Sequence, residues 1–301
     1  MSIKKSILLL LFFVFQFGFS QDYREQFGGF VKASDTVNQL KILQQWEKKN
    51  ASDPELYVAW FNYYFINAKK EMLHLGDNPE GKEALEITDT TSKKPVGYLY
   101  GTDHYDDAKV EKGIAKIDAA IKKFPTRLDM RFGKTYVLGE MKNWSDFTTE
   151  IIKTVEYSAK IQNKWTWRDG KPVEDAKNFM LGSIQGYINQ LYEANDDLLL
   201  DDMKRISETV VKYYPDHVES LSNVSIVLMI QGDFDKALTY LLKAEKLAPN
   251  DTVVLGNIAH AYNSKGDSAK AIAYYEKILA IGDENTKAFA KDRIEKIKAK
   301  K

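Results

Sequence analysis

The sequence predicts an all-α fold made of about five helix-turn-helix pairs, with a closing C-terminal helix and one long insertion. Three observations predict it. The blocks 218–251 and 252–285 align on one another, with Leu221 and Leu255, Asn223 and Asn257, Gly232 and Gly266, and Ala237 and Ala271 each one block length apart. Within the first block, Val218, Leu221, Val224 and Leu228, then Leu238, Leu241, Leu242 and Leu247, recur at the spacing that gathers apolar side chains on one face of a helix. The 301-residue chain is 44% hydrophobic and 29% charged. That is enough apolar material to bury a core. It holds no cysteine, so disulfides, thiolate metal sites and cysteine nucleophiles are excluded.

Taken in chain order, the first twenty residues read as an address. Lys4 and Lys5 form a basic start, 7–15 is an unbroken apolar run, and Gly18 and Ser20 are the small residues of a cleavage site after Ser20. That apolar run falls short of the roughly 20 residues that span a bilayer. The expectation is a secretory signal peptide over 1–20 and a mature protein in the periplasm or outside the cell, with no integral membrane span. Cleavage removes two lysines and no acid, which leaves 43 − 2 = 41 basic against 43 acidic residues and a net charge of −2. Such a chain has no global positive field to hold nucleic acid.

Asp53-Pro54 then opens an aromatic helix, 56–71, and a second helix runs over 105–124 to Phe124-Pro125. Between them an insertion near 73–103 is rich in Gly, Pro, Thr and Asp, with β-prone runs at 87–91 and 96–100. An irregular stretch of that length in a compact domain is usually functional or disordered. The segment 163–173 (NKWTWRDGKPV) is a second break, whose aromatics are either exposed for binding or a plug over a helix end. From 184 the period strengthens: Asn189 lies one repeat before Asn223, and Pro215 lies one repeat before Pro249. The resulting organisation is a degenerate helical-repeat region over 21–183 and regular repeats with a closing helix over 184–301. The closing helix carries Lys287, Lys291, Asp292, Glu295 and Lys298 on its outer face, as the end of a repeat array requires.

A unit of about 34 residues with two amphipathic helices resembles the tetratricopeptide repeat family. The marks are Leu221 and Leu255 at position four, small Ser225 and Ala259 at eight, Gly232 and Gly266 at fifteen, Ala237 and Ala271 at twenty, and Pro249 at thirty-two. The likeness is strong over 218–285, fair over 184–217 and weak from 36 to 162, where Trp60 and the turn at Met141–Trp144 echo it. It implies a right-handed solenoid whose first helices line a concave groove. On that reading Asn62, Asn189, Asn223 and Asn257, all at position six, offer a row of amides to the backbone of an extended peptide. Ile226, Met229, His260 and Asn263 lie at later groove positions. Family members that hold a terminal carboxylate use lysine and arginine at positions two, five and six. Here positions two and five hold Glu219, Ser222, Val253 and Gly256, so that arrangement is missing.

Other constellations are weak. Thr102–Asp107 places His104 among three aspartates, as a cation site does, but acids at a helix start are better read as dipole complements. The aspartates of 195–202 lack the spacing of a calcium loop and read as turn and caps. The four histidines are scattered, and no nucleophile, zinc or phosphate-loop motif occurs, so no metal, cofactor or catalytic residue is expected. The Asn-x-Ser/Thr matches at Asn50, Asn143, Asn223 and Asn250 read as chance. The favoured function is an exported, non-enzymatic scaffold that binds a protein or extended peptide. The alternative is a carbohydrate or small-ligand binder using Tyr98, Tyr100, Trp165 and Trp167, and a hydrolase on the same scaffold ranks below both.

Export fixes the start of the mature chain. N-terminal sequencing of the exported protein should begin at Gln21; a mass that retains 1–20 in a membrane pellet would contradict the signal.

Overall fold

The computed structural model describes residues 22–79 and 83–299, so the signal sequence and its cleavage site lie outside the described residues. The chain divides into two compact units. Unit 1 runs to Met141 and includes Thr166–Pro172; unit 2 comprises Lys142–Trp165 and everything from Val173. The predicted boundary near 183 falls within a helix of unit 2, Ala176–Glu193.

Unit 1 contains α1 (22–32), α2 (Thr36–Asn50), α3 (Pro54–Ile66), α4 (Asp107–Lys123) and α5 (Leu128–Glu140). Asp53 sets the start of α3. One of its oxygens accepts from the backbone N–H of Glu55 at 2.9 Å, and the other accepts from the Trp46 indole at 2.9 Å. Capping and core formation are thus one event: Trp46, fully buried, packs with Leu43, Leu56 and Trp60 beneath that carboxylate. Helices α3 and α4 pack closely because Gly113 has no side chain. A Cβ there would lie 3.3 Å from that of Tyr64 and 3.5 Å from the Phe61 carbonyl.

The insertion is a three-stranded antiparallel sheet, not an irregular loop. Strands β1 (Lys69–Gly76), β2 (Ala84–Thr88) and β3 (Pro95–Tyr105) lie in the order β1-β3-β2. It is wider than the predicted 73–103, because residues 69–71 leave the expected helix and Tyr105 ends a strand instead of starting a helix. The register pairs Leu75 with Leu99 and Leu85 with Leu99. The sheet is rooted by Phe65 stacked on Tyr105 at 5.2 Å and by the Asp106 N–H on the Ala68 carbonyl at 2.9 Å. Asp106 caps α4, as expected of an acid there. Thr102, Asp103 and His104, however, belong to β3, and Asp103 pairs with Lys69 across the strands at 2.8 Å.

A buried ion cluster, without any sequence signature, ties the chain break at 166–172 to unit 1. The Arg127 guanidinium, almost wholly buried, donates to both oxygens of Asp129 at 2.7 and 2.6 Å and to Glu55 at 2.7 Å. The same Glu55 oxygen accepts the backbone N–H of Asp169 at 3.0 Å, and Asp169 pairs in turn with Arg24 at 2.6 Å. Although burial opposes the charge, the two carboxylates hold Arg127 protonated well above its ordinary range.

Unit 2 contains α6 (Trp144–Lys160), α7 (Ala176–Glu193), α8 (Leu200–Tyr213), α9 (Val218–Ile230), α10 (Phe234–Leu247), α11 (Thr252–Ser264), α12 (Ser268–Ile281) and α13 (Glu284–Ala299). Asn143, Asp233, Asp251 and Asp267 cap α6, α10, α11 and α12 through their side chains. Gly232 and Gly266 take φ of 81° and 83° in the turns within the two regular pairs. A side chain disfavours that conformation. Ala237, Ala259, Ala271 and Ser225 are completely buried, as the helix register requires. The aspartates of 195–202 act as turn and cap: Asp196 accepts from the Leu198 N–H at 3.0 Å, and Asp202 pairs with Arg205 at 3.0 Å. The fold is therefore all-α and solenoid-like in its repeats, with the small sheet as an insertion.

Removing one partner of a buried ion pair leaves the other charge stranded, typically at about 3–5 kcal/mol. Arg127→Met should destabilise unit 1 by that order in urea unfolding, and protease cleavage near Asp169 should become faster. An unchanged unfolding midpoint would show that the cluster does not hold the segment.

Candidate functional site

The first helices of three successive pairs, α7, α9 and α11, are linked edge to edge by polar side chains. The Asn223 amide donates to Gln185 of α7 at 2.7 Å, and Gln185 donates to Asn189 at 3.0 Å. Asn257 of α11 donates to Ser222 of α9 at 3.0 Å. The row predicted from position six therefore exists, but its role is partly structural. Asn223 is only 8% exposed, Asn257 is half-buried, and Asn189 is open to solvent. Asn223 and Asn257 each donate one N–H and retain a carbonyl oxygen and a second N–H, whereas the carbonyls of Gln185 and Asn189 accept within the row. Asn62 is exposed on α3 and belongs to unit 1, outside this row.

Two neighbouring concavities lie along the row. The first, about 420 Å³, is lined by Gln185, Asn189 and Tyr192 of α7, Glu219, Asn223 and Ile226 of α9, and Val253 of α11, among others. The second, about 520 Å³, holds Val253, Asn257 and His260 of α11 with Phe289 and Arg293 of α13. The lining obeys the repeat. Positions two, five, six and nine supply Gln185, Ile188, Asn189 and Tyr192, then Glu219, Ser222, Asn223 and Ile226, then Val253, Gly256, Asn257 and His260. Sequence reading overlooked Gln185, Tyr192 and Arg293. For the first two the signal was there, since Gln185, Glu219 and Val253 follow one another at the repeat spacing, as do Tyr192, Ile226 and His260.

Other expected residues are placed differently. Met229 packs against the buried cluster of Val224, Leu228 and Ala237 and lines neither concavity. Asn263 is half-buried outside both linings. Trp165 is not an exposed binding aromatic but a plug, 2% exposed. Its indole N–H donates to Ser158 at 2.8 Å, and Ser158 and Tyr214 both donate to Asn163, at 3.0 and 2.7 Å. Burial of so large a ring against a polar triad anchors the segment after α6, which is why it is unavailable to a sugar. Trp167 meets Phe132 edge-on at 6.2 Å in unit 1. Tyr98 and Tyr100 are half-buried on β3, and Tyr100 stacks on His74 at 5.9 Å.

One arrangement resembles catalytic machinery in outline only. His217 Nδ1 lies 2.8 Å from the Ser220 hydroxyl and its Nε2 lies 3.2 Å from Glu219. Ser220 is 1% exposed in the first turn of α9, so its oxygen is closed to substrate. Burial pushes the imidazole pKa down against the pull of Glu219. Among the described residues no three histidines or carboxylates come together as metal ligands, and no helix is long and apolar enough to cross a membrane.

Residues 216–284 match the tetratricopeptide repeat family. Similar solved structures include YrrB, a TPR protein with an unusual peptide-binding site; the two are 15% identical over 83% of this chain and 97% of that one, with a TM-score of 0.39. A TPR protein of Thermus thermophilus is 15% identical over 63% of this chain and 91% of its own, with a TM-score of 0.37. The first TPR of Spaghetti, bound to an HSP90 peptide, is 15% identical over 39% of this chain and 89% of its own, with a TM-score of 0.35. No curated protein matches the sequence.

The amides now make a stability prediction. Each inter-helix hydrogen bond is worth about 0.5–1.5 kcal/mol. Asn223→Ala combined with Asn257→Ala should lower the stability of unit 2 by about 1–3 kcal/mol in urea unfolding while helical circular dichroism is retained. A variant as stable as the parent would show that the amides do not join the helices.

Proposed function

We propose, starting from residues 216–284 as tetratricopeptide repeats, that this chain is an exported, non-enzymatic scaffold that binds a protein or extended peptide along the concave row of α7, α9 and α11. The observation that carries the reading is the composition of that row. Tyr192 and Val253 are well exposed, at 60% and 65%, beside amides that keep a free carbonyl and N–H. An extended peptide needs apolar contact for its side chains and paired donors and acceptors for its backbone, and this surface provides both. Export rests on the basic and apolar pattern of 1–20, and it puts the partner in the periplasm or outside the cell. The sugar-binding alternative is weaker, because Trp165, one of its four aromatics, is sealed in a core.

A photo-reactive benzoylphenylalanine at Tyr192 or Val253 tests the surface directly. In the extracytoplasmic fraction it should cross-link a discrete protein partner. The same group at Lys243 or Glu276, exposed on α10 and α12, should not. Equal labelling from all four sites would remove the groove as the binding surface.

A further inference from the structure

The inserted sheet of unit 1 has two unlike faces. Residues paired directly across strands share a face. The register therefore gathers Leu73, Leu75, Leu85, Ile87 and Leu99 on one side, around Gly97 and Gly101. His74, Tyr98 and Tyr100 lie on the other side, where the imidazole stacks on Tyr100 and both tyrosines are half-buried. The leucine side stays open: Leu73, Leu75 and Leu85 are 70%, 71% and 70% exposed. No charged residue interrupts the cross-strand row of Leu75, Leu99 and Leu85. Isolated exposed leucines are ordinary, but aliphatic side chains gathered on one flat face form a contiguous patch, which marks an interaction site. Charges stand at its two ends. At the root, the Glu71 carboxylate folds over Gly101, 2.8 Å from where a Cβ would lie, and Asp103 pairs with Lys69. At the far end, Lys93 and Lys94 are exposed in the β2–β3 turn, while Asp89 is turned back onto the N–H groups of Thr91 and Ser92.

We infer that this face docks a second copy of the chain, the two sheets packing face to face and head to tail. A two-fold axis presents the same patch from both sides, and an aliphatic patch is its own complement. With the strands of the two copies reversed, Glu71 and Asp103 of one lie toward Lys93 and Lys94 of the other. The end charges therefore favour this orientation over the parallel one, which sets like charges together. Sheets packed in this way sit about 10 Å apart with their side chains interdigitated. Three strands about 4.8 Å apart and eight residues long give a footprint of roughly 400 Å² per copy. A stable interface takes about 800 Å² per partner, so this association is reversible and concentration decides it. A bilayer is the poorer match. The arm 69–105 carries five lysines against seven carboxylates, and an anionic lipid surface repels such a segment. The surface belongs to unit 1 and does not rest on the peptide row of unit 2.

Sedimentation velocity on the chain from Gln21 onward tests this. That form lacks the apolar run of 7–15, which removes the run as a rival occupant of the face. Over about two decades of micromolar concentration a monomer should pass into a dimer. Leu75→Glu and Leu85→Glu, on different strands, should each leave a monomer throughout with helical circular dichroism unchanged. Met72→Glu, on the opposite face, should leave the dimer intact. Glu71→Lys should weaken association about tenfold, and adding Lys94→Glu should restore it. A monomer at every concentration would overturn the inference, and flotation of that monomer with phosphatidylcholine vesicles would give the face to lipid instead. A dimer that survives both leucine substitutions, or that Met72→Glu breaks equally well, would place the contact elsewhere and defeat it too. Loss of the dimer in Leu75→Glu with no response to Glu71→Lys would overturn the head-to-tail arrangement.

Discussion

A pair of amphipathic helices can hide only part of its apolar surface within itself, and unit 2 is organised around what remains. Leu221, Leu238, Leu241 and Ala244 of α9 and α10 are buried because Val254, Ile258 and Ala261 of α11 lie over them. The next pair is covered in the same way: Leu255, Ala259, Ala271, Tyr275 and Ile278 are closed by Ala290, Ile294 and Ile297 of α13. Stability in such an array is a sum of neighbour contacts. Small residues at the pair contact bring the helices close, and the first helices then lie side by side. That proximity puts Asn223 within reach of Gln185 and Asn257 within reach of Ser222. The concave row is therefore a by-product of packing, and its chemistry depends on which residues sit at positions that packing leaves open.

Unit 1 meets the same constraint with less regular means. Its aromatic helix α3 buries Trp60 and Phe61 in two separate clusters, and a sheet is inserted where a turn would connect α3 to α4. A stretch of chain from beyond α6, Thr166–Pro172, returns to this unit and is held by the charge cluster, by Trp167 against Phe132 and by backbone bonds of Thr166. Glu55 serves two ends of that connection, since one oxygen accepts from both Arg127 and the Asp169 backbone. Buried charges are tolerable there because each is paired in good geometry. The sheet contributes little burial of its own: Leu73, Leu75 and Leu85 all stand well exposed.

The helices α9 to α12 were legible because helical periodicity, a capping aspartate and a turn glycine are local signals, and all three recur from one repeat to the next. The sheet was legible only in part. Its β-prone runs are local, but the shortening of α3 at Ile66 and the conversion of 69–71 to strand depend on pairing with the distant end of β3. Trp165 was ambiguous for the same reason. A tryptophan between polar residues gives no sign that Ser158 and Asn163 will receive it. At the site, position six drew attention to the amides, but the side of α9 that faces α7 was not separable from the open side, so their inter-helix bonds were missed.

What the sequence determined alone is what repeats or caps: the all-α class, the helix pairs and the closing helix. What only the tertiary structure decided is partnership across distance. The Arg127 cluster joins Glu55, Arg127, Asp129 and Asp169, and no spacing rule connects them. Arg293 lines the concavity beside α11 because α13 enters one position short of the repeat, a shift whose meaning depends on where the preceding helix ends. Local periodicity is written in neighbouring residues, whereas the charge of a pocket is set by whichever helices the core brings together.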